Sequence, residues 1–516
     1  MIDFEWKLLL FLKDFTGRGS DTFYWLADDQ LHETSAKEIV DFPGVVVCHD
    51  FWLIRDVLFD QTQDLPKALI DLDEFRMSTS GNPENRISRE RVDITDELGR
   101  YEVKSDVSST YKSMFLRGTL FNADIAREVA RALSKMFEEL CVVAAENGEL
   151  ARYMGVEVPV YHLLQKAMSS GITIDSSHLS EKRKEAEYDY YFCLKSYSEK
   201  HDLPLETPTR QMIEERVNEF GFDLGGVSLE YVLEFLPHKN DFGNDTLALW
   251  NLDAAKRVLS SLTLSSNQTR PIVDVFGSRT SRIHLRNPAL QNMPKKYRSI
   301  VAARKGSNLC YVDYDQYEVG IMAGLSEDPE LIALYCAGDM YDLFSTSHLG
   351  IAGNRQMAKQ LFLSYAYGMS RKALIDAAAA LGADRERAKA AFRLFSAYEE
   401  WKKTICARFL KEGRIETIRG NHFKRNGQGQ LSAKERRSAV SQVVQGTASL
   451  IFKMALLEVS TLEDVTIILP MHDALLFEHR LKETPARVVK AFEKVMTEQL
   501  LGRINGKASI GQFSPT

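Results

Sequence analysis

Short apolar and polar runs alternate over the first 148 residues, which close on one long segment with helical periodicity. The runs DTFYWLAD, PGVVVCHD and KALIDLDEF have the β-branched and aromatic composition of strands. The segment NADIAREVARALSKMFEEL repeats its apolar residues at helical spacing. The pattern therefore predicts one α/β domain over residues 1–148.

The rest of the chain alternates between helical and strand-like stretches. Residues 149–270 are almost entirely helical in spacing, residues 271–326 turn strand-like, and residues 327–430 are helical again. The segment VTIILPMHDALLFEH, at 465–479, has two strand runs around a Pro-containing turn and predicts a β-hairpin. We therefore expect a helical arm and a sheet whose strands are separated by a long helical excursion.

Composition narrows the class of protein. The 516 residues are 44% hydrophobic and 27% charged, which is typical of a globular chain of two to four domains. No apolar run reaches the roughly 18 residues of a membrane-spanning helix, so we expect no membrane association and a cytoplasmic location. The six cysteines include no C-x-x-C pair, which argues against a zinc or redox centre. The net charge is −7, but basic clusters recur after residue 280, which leaves a nucleic-acid partner open.

Two acidic segments suggest a metal site. Asp313, Asp315 and Glu318 follow a buried strand run in YVDYDQYEVG, and Asp473 lies in the hairpin turn PMHD. Buried carboxylates need a cation, a proton or hydrogen-bond donors. If the two strand ends meet in one sheet, Asp313 and Asp473 can hold two Mg²⁺ ions roughly 3.5–4 Å apart for phosphoryl or nucleotidyl transfer. The alternatives are a solvated strand end and an ordinary turn acid, and period-two alternation does not rank Asp313 above Asp315.

A third segment, RQMAKQLFLSYAYGMS, carries a stripe of residues spaced by four. Arg355 and Lys359 are followed by Leu363 and Tyr367, so the stripe is basic first and apolar last. Its N-terminal half suits a triphosphate near the positive end of a helix dipole, and its C-terminal half suits a nucleobase. On spacing alone, an amphipathic helix with exposed cations fits as well.

Taken together, these segments resemble the family A (DNA polymerase I-like) DNA polymerases. DYDQYE resembles the palm motif D-Y-S-Q-I-E, RQMAKQLFLSYAYGMS matches the fingers-helix pattern R-x-x-x-K-x-x-x-F-x-x-x-Y-G, and MHDALLFE resembles V-H-D-E-L-V-F-E. SRIHLRNPALQNMP, GRIETIRG and VVQGTAS match further motifs in order. The resemblance spans roughly residues 150–516. It implies an α+β right-hand polymerase, with an antiparallel palm sheet and helical fingers and thumb, preceded by an RNase H-like α/β domain.

The resemblance also implies how the chain divides into domains. Residues 1–148 correspond to a 3′→5′ exonuclease-like domain, 149–270 to the thumb and the start of the palm, and 271–326 to the palm. Residues 327–430 correspond to the fingers and 431–516 return to the palm. No space remains for a 5′-nuclease domain, which is compatible with a phage, plasmid or accessory bacterial enzyme.

Site residues follow from the same resemblance, position by position. Asp313 and Asp473 correspond to the catalytic carboxylates that bind two Mg²⁺ ions, for which Mn²⁺ can substitute, with the Tyr314 carbonyl as a further ligand. The positions that correspond to nucleotide contacts are Gln316, Glu318, Tyr341, Arg355, Lys359, Leu363 and Tyr367. Those that correspond to DNA contacts are Arg282, Gln291, Asn292, Gln445 and His472. The implied activity is DNA-directed DNA polymerisation by a monomer acting on primer-template DNA and dNTPs, with any processivity partner unspecified.

Several positions depart from the family pattern. Leu363 replaces the fingers aromatic, Gly320 replaces an arginine, Tyr341 replaces a histidine, and Ala474 replaces the second acid of the hairpin motif. None of these changes removes Asp313 or the other aspartate of the pair, so we expect activity, with nucleotide discrimination altered by the loss of a stacking face.

The exonuclease motifs are more strongly altered. Leu12 and Asp14 occupy the two acid positions of the first motif, Ile54 occupies the acid position of the second, and Asp124 corresponds to the third. The remaining acids are too few for two metals, so we expect a degenerate exonuclease domain and no proofreading. The alternatives to a DNA polymerase are a single-subunit RNA polymerase, reverse transcriptase activity, and a catalytically inactive nucleic-acid-binding protein.

Overall fold

A mixed sheet with helices forms the N-terminal part of the protein. The computed structural model describes residues 4–13, 21–86, 89, 92–117, 121–220, 229–235, 241–351 and 353–515. Five strands pair in the order β3-β2-β1-β4-β5, with β1 antiparallel to β2 and parallel to β4. The elements are β1 Trp6–Leu12, β2 Thr22–Ala27, β3 Gln30–Thr34, α1 Ala36–Asp41, β4 Val45–Cys48, α2 Phe51–Thr62, β5 Leu69–Asp71, α3 Leu72–Thr79, α4 Ser105–Arg117 and α5 Ala123–Glu146.

Local sequence explains where these elements begin. Ser35 and Glu38 form a reciprocal capping box at the start of α1, and the Asn122 side chain accepts two backbone N–H groups at the start of α5. The LLLF run of β1 is fully buried because the sheet is covered by helices, among them α5. The strand runs and the long helix predicted for this region are confirmed.

A helical arm with its own small core follows. The long helices α8 and α11 pack along each other, and Tyr197 donates or accepts a 2.9 Å hydrogen bond with Thr246 across them. The arm encloses a separate apolar cluster that includes Leu194, Ile213 and Leu249. Its elements are α6 Leu150–Arg152, α7 Val158–Ser169, β6 Ile172–Thr173, α8 Ser176–His201, α9 Arg210–Glu219, α10 Leu229–Phe235, α11 Phe242–Ser261 and β7 Gln268–Thr269.

An antiparallel sheet of four strands, ordered β13-β14-β10-β15, occupies the C-terminal half. A block of helices lies between β10 and β13 in the chain, so the sheet is assembled from segments about 160 residues apart. The elements are β8 Ile272–Asp274, β9 His284–Arg286, β10 Asn308–Tyr314, α12 Tyr317–Ser326, α13 Pro329–Ala337, α14 Met340–Leu343, α15 Arg355–Ala366, α16 Arg371–Ala380, α17 Arg385–Ala391, α18 Ser396–Glu412, β11 Arg414–Thr417, β12 Gly420–Lys424, α19 Ala433–Ser460, β13 Thr466–Met471, β14 Ala474–His479, α20 Thr484–Gln499 and β15 Ala508–Gly511.

The predicted 465–479 hairpin is confirmed, but two neighbouring predictions are wrong in detail. The end of the strand-like region is the helix α12, which is buried on nearly all sides and therefore lacks the polar face by which an amphipathic helix is recognised. The end of the predicted helical block is the β11–β12 hairpin. Its turn ends at Gly420, whose φ of +103° favours glycine. The hairpin is too short for the period of its strands to be recognised in the sequence.

Buried ion pairs tie the N-terminal part to the C-terminal sheet region. Arg152 contacts both Glu149 and Glu157 and donates to the Ser78 carbonyl at the end of α3. The Lys453 ammonium, in α19, lies 2.6 Å from Glu157 and is fully buried. One apolar core runs from β1 to β15 around this network. The two regions therefore pack as one body.

Among the described helices, α19 alone is long and apolar enough to span a membrane. Its most apolar window is 78% buried inside the protein. That burial is typical of the central helix of a globular core.

Candidate active site

The register of the antiparallel sheet brings the two predicted aspartates together. Asp313 of β10 is paired with Ala474, the first residue of β14, so Asp473 in the preceding turn lies at the same edge of the sheet. The Tyr314 backbone N–H lies 3.4 Å from the Asp473 carbonyl oxygen. His472 takes a left-handed conformation (φ +49°) that closes the tight turn. The predicted convergence of residues separated by 160 positions is confirmed.

The electrostatics of this pair are those of carboxylates that lack a counter-ion. Burial, together with the neighbouring charges of Asp473 and Asp315, raises the pKa of Asp313 to about 7. Burial likewise raises the pKa of Asp473. The buried Oδ1 atom of Asp313 has no hydrogen-bond partner within the described part of the chain. A buried acceptor without a donor is costly, and a divalent cation is the group that would satisfy it.

The residues present fit such a cation with few protein ligands. In the described ranges, no group of three or more His, Cys, Asp or Glu side chains is arranged to hold a metal. Mg²⁺ usually takes only one or two protein carboxylates and completes its shell with water and substrate phosphates. The two aspartates are therefore sufficient for a site that a phosphate-bearing substrate completes.

The structure also distinguishes Asp313 from Asp315, which the sequence did not. Strand β10 ends at Tyr314, and Asp315 lies beyond it. The Asp315 Oδ1 accepts a 2.7 Å hydrogen bond from the Ser509 hydroxyl, and its backbone N–H donates to the Lys507 carbonyl. Asp315 thus has protein partners, whereas the inner oxygen of Asp313 has none.

The predicted basic stripe lies on one helix that faces the aspartates. Arg355 begins α15, and Lys359 lies one turn later. The Lys359 ammonium lowers the pKa of both Asp313 and Asp473, which opposes the effect of their burial. The helix therefore presents the Lys359 cation toward the carboxylate pair from its N-terminal half, and the backbone N–H groups at that end of the helix also favour anions. Leu363 is half-buried further along the same helix.

Glu318 lies at the centre of a network between the sheet region and the helix. The Tyr367 hydroxyl, at the end of α15, donates to Glu318 Oε2 at 2.6 Å. Arg282 Nη2 donates to Glu318 Oε1 at 2.8 Å. Both oxygens of this carboxylate are thus oriented by charged or phenolic donors, which fixes the side chain in place.

Gln316 contacts the short helix α14. Its Oε1 accepts from the Met340 N–H at 2.8 Å, and its Nε2 donates to the Gly338 carbonyl at 2.9 Å. This contact could not be predicted from the sequence, because a side-chain amide joins residues that are 24 positions apart. Gln316 thereby positions the helix that carries Tyr341.

The predicted DNA-contacting residues lie in three kinds of place. Arg282 and Gln445 line one open cavity of 550 Å³ together with Tyr367, which is predicted to contact the nucleotide, while Asn292 and His472 are exposed at turns. Gln291 is buried instead. Its amide donates to two backbone carbonyls, those of Ile283 and Pro470, and its Oε1 accepts from the Leu285 N–H. Both amide hydrogens are already in use, so the Gln291 side chain braces the sheet region in this structure.

Comparisons with known proteins agree with this arrangement. The sequence model of DNA polymerase family A matches residues 246–511, just over half of the chain. The chain belongs to DNA polymerase family A. It is 33% identical over 216 residues to the DNA polymerase theta of Caenorhabditis elegans, covering 39% of this chain and 13% of that protein. It is 25% identical over 394 residues to the DNA polymerase I of Mycobacterium bovis, covering 68% of this chain and 43% of that protein.

A solved structure shows the fold of this family A chain over nearly its full length. The POL domain of Pol1 from M. smegmatis, in a complex with DNA primer-template and dNTP, superposes with a TM-score of 0.73 at 19% identity. The match covers 98% of this chain and 94% of that one. The right-hand polymerase fold expected from the motifs is therefore confirmed. The chain spans less than half the length of the two curated relatives named above.

Two departures from the family A motifs have a visible structural reason. A Cβ atom added to Gly320 would lie 2.5 Å from the Met496 methyl and 2.9 Å from the Tyr335 ring, so α12 packs too closely there for an arginine. Ala474 is fully buried opposite Asp313, where a carboxylate would add a third charge to a site already short of counter-ions. The packing around Gly320 and the charges around Ala474 thus favour the smaller residue at each position.

Of the N-terminal positions that correspond to exonuclease acids, those that the structure describes carry one acid, Asp124. Leu12 ends β1, Ile54 is buried in α2, and Asp14 lies outside the described residues. Asp124 is exposed in the first turn of α5 and contacts Arg127. Degeneracy of this domain stays a prediction that these placements support.

A different acidic cluster is buried at the carboxyl ends of β4 and β5, and sequence reasoning did not identify it. Arg89 Nη2 lies 3.1 Å from Asp50, 3.3 Å from Asp71 and 3.0 Å from Asp73. The Asp71 and Asp73 carboxylates also accept backbone N–H groups, from Phe51 at 2.8 Å and from Ile94 at 2.7 Å. We call these four charged residues the Arg89 cluster.

Proposed function

We propose that this chain is a template-directed DNA polymerase that adds deoxynucleotides to a primer 3′-hydroxyl. The observation that carries the proposal is the buried Asp313 oxygen beside Asp473, which has no hydrogen-bond partner among the described residues and lies in the field of the Lys359 ammonium of α15. This arrangement suits a substrate that brings both divalent ions and a polyphosphate. Membership of family A and the solved relative that holds primer-template and dNTP support the same substrate.

In this mechanism the protein positions the reacting groups. Asp313 and Asp473, with the Tyr314 carbonyl, would hold two Mg²⁺ ions, or Mn²⁺ in their place. Bound there, the ions supply a lowered pKa for the attacking hydroxyl and neutralisation of the leaving pyrophosphate. Arg355 and Lys359 hold the triphosphate and orient its α-phosphate in line with the primer end.

Substrate selection rests on the residues around the cavity. Glu318 is held rigidly by Arg282 and Tyr367, so it cannot withdraw from a ribose 2′-hydroxyl, which favours deoxynucleotides. Arg282 and Gln445, which line this cavity, would contact the minor groove of the primer-template end, in which every base pair offers acceptors. Leu363 provides an apolar contact to the base without a stacking face.

The proposal extends to the remaining parts of the chain. Residues 149–270 serve as thumb and the start of the palm, 271–326 and 431–516 as palm, and 327–430 as fingers. Residues 1–148 serve as an exonuclease-like domain without proofreading activity. A monomeric state and a cytoplasmic location complete the proposal.

Primer extension tests the proposal directly. Wild-type protein, Mg²⁺, a primed template and four dNTPs should give full-length product, and the same reaction with four rNTPs should give little. Asp473→Asn should abolish extension. Asp315→Asn is the matched control, since it removes a carboxylate of the same segment that already has protein partners, and it should retain activity within about threefold. Extension by Asp473→Asn at the wild-type rate would reject the assignment.

A further inference from the structure

The short helix α14 presents an aromatic ring to both cations of α15. The Arg355 guanidinium carbon lies 5.6 Å, and the Lys359 ammonium 5.8 Å, from the centroid of the Tyr341 ring. Both distances fall within the range in which a cation is attracted to an aromatic face. The Tyr341 ring is buried, whereas the Arg355 side chain is half exposed, so water screens the attraction of the guanidinium in part.

The ring is itself held firmly. Phe362, on the buried side of α15, packs edge-on against it at 6.3 Å between centroids. Gln316 accepts from the first backbone N–H of α14, and the Asp339 side chain caps the same helix by accepting from the Asp342 N–H at 3.0 Å. The Asp339 carboxylate also lies 2.7 Å from Arg355 Nε. The cations thus face a preformed support.

We propose that Tyr341 is a positioning residue that holds Arg355 and Lys359 at the spacing a polyphosphate requires. This inference rests on the proposed function and adds the means by which the clamp is preorganised. Long side chains lose rotamer freedom when they bind a phosphate. A ring that restrains both cations beforehand reduces that loss and tightens binding without touching the phosphates. The aromatic face carries this role and the phenolic hydroxyl does not.

The test compares side chains that separate ring from hydroxyl. Tyr341→Phe should keep the dNTP KM and kcat within about twofold of wild type, because the ring remains. Tyr341→Leu and Tyr341→Met should raise the dNTP KM about tenfold with kcat within about threefold. A Tyr341→Phe variant with the same KM increase as Tyr341→Leu would overturn the proposal, as would Leu and Met variants with unchanged KM.

A double-mutant cycle shows whether the ring acts through the cations. In a Lys359→Ala background, Tyr341→Leu should raise KM by much less than in the wild type, whereas independent effects would multiply. Full multiplication would overturn the proposal. Thermal melting of each variant monitors the fold. If the Leu and Met variants do not fold, a Tyr341→Phe variant whose KM is raised about tenfold would still overturn the proposal, because it keeps the ring.

Binding of inorganic tripolyphosphate, measured by calorimetry, separates this inference from the proposed function. It reports the clamp whether or not the protein extends primers. Wild type and Tyr341→Phe should bind with similar affinity, and Tyr341→Leu about tenfold more weakly. Equal affinity of all three would overturn the role of Tyr341 even if primer extension succeeds. Absent extension with the expected affinity pattern would reject the polymerase activity alone.

Discussion

Two clusters of buried or partly buried aspartates in this protein differ in how their carboxylate oxygens are satisfied. In the Arg89 cluster, the guanidinium contacts three carboxylates, and backbone N–H groups satisfy further oxygens. At the edge of the C-terminal sheet, Asp313 leaves a buried oxygen without a partner, and its nearest charged neighbours include two more acids. The first cluster is complete within the protein. The second is complete only with something that the protein must bind.

This difference teaches how to separate structural from functional acids. Burial and perturbed pKa values occur in both clusters, since burial raises the pKa of Asp73 to about 8 and that of Asp313 to about 7. Neither property alone marks a functional site. The discriminating feature is whether each buried carboxylate oxygen has a donor within hydrogen-bond distance among the described residues.

The largest expected effect comes from neutralising the incomplete cluster. Asp313→Asn should lower primer extension at least about 1000-fold, because the amide is a poor ligand for the divalent ions of nucleotidyl transfer. It should not lower the free energy of unfolding, since it removes one of several mutually repelling charges. Single-turnover extension and urea unfolding measure the two effects. Loss of stability with retained activity would place Asp313 among the structural acids.

The opposite outcome is expected for the complete cluster. Arg89→Met should reduce the free energy of unfolding by about 3–5 kcal/mol, because it leaves buried carboxylates without their cation. Primer extension should persist at temperatures where the variant is folded. Arg100→Met is the control: its partner is Glu97 at 3.0 Å, but the arginine is 73% exposed, so the change should stay below about 1 kcal/mol. Equal effects of the two substitutions would remove the distinction between the clusters.

Titration of Asp73 sharpens the comparison. One guanidinium serves three carboxylates, so burial holds the pKa of Asp73 at about 8 in the folded protein, well above its value in the unfolded chain. Between about pH 4 and 8, the folded state therefore keeps a proton on Asp73 that the unfolded state has released. The contribution of Asp73 to stability falls as pH rises through that window.

Asp73→Asn mimics the protonated side chain and should flatten this dependence by about 1 kcal/mol per pH unit. Urea unfolding of wild type and variant at pH 5, 6, 7 and 8 measures the difference. Asp96→Asn, at a largely exposed ion pair with Lys112, is the control. Parallel wild-type and Asp73→Asn curves would show that Asp73 is ionised in the folded state.

No effect at all is expected in a test for nuclease activity. With Mg²⁺ and single-stranded DNA but no dNTPs, the protein should not shorten the strand, and Asp124→Ala should change nothing. Asp124 is exposed and forms an ion pair with Arg127. Among the described residues, no second acid takes part in that ion pair. Clear shortening that Asp124→Ala abolishes would show a working nuclease in the N-terminal part.

The sequence predicted one of the two clusters and missed the other for a physical reason. Asp313 and Asp473 stand in a strand run and a hairpin turn, whose local patterns predict where each side chain lies once the strands pair. The Arg89 cluster depends on a guanidinium that reaches acids 16 to 39 positions away, which no periodicity records. The contact between the Tyr341 ring and Arg355 likewise leaves no periodic pattern in the sequence. Strand runs with a polar boundary were predictable, whereas the all-round apolar helix α12 was not.

The fully buried Lys453 has a consequence for anyone who trims this protein. Its only ion-pair partner in the described chain is Glu157, whose neighbour Arg152 in turn reaches the Ser78 carbonyl of the N-terminal part. Deleting the first 148 residues would remove the Ser78 carbonyl from Arg152 and open this chain of charges to solvent from that side. Residues 1–148 therefore contribute to the packing of the protein whether or not they cut DNA, and a shortened version would need polar residues on the surface that their removal exposes.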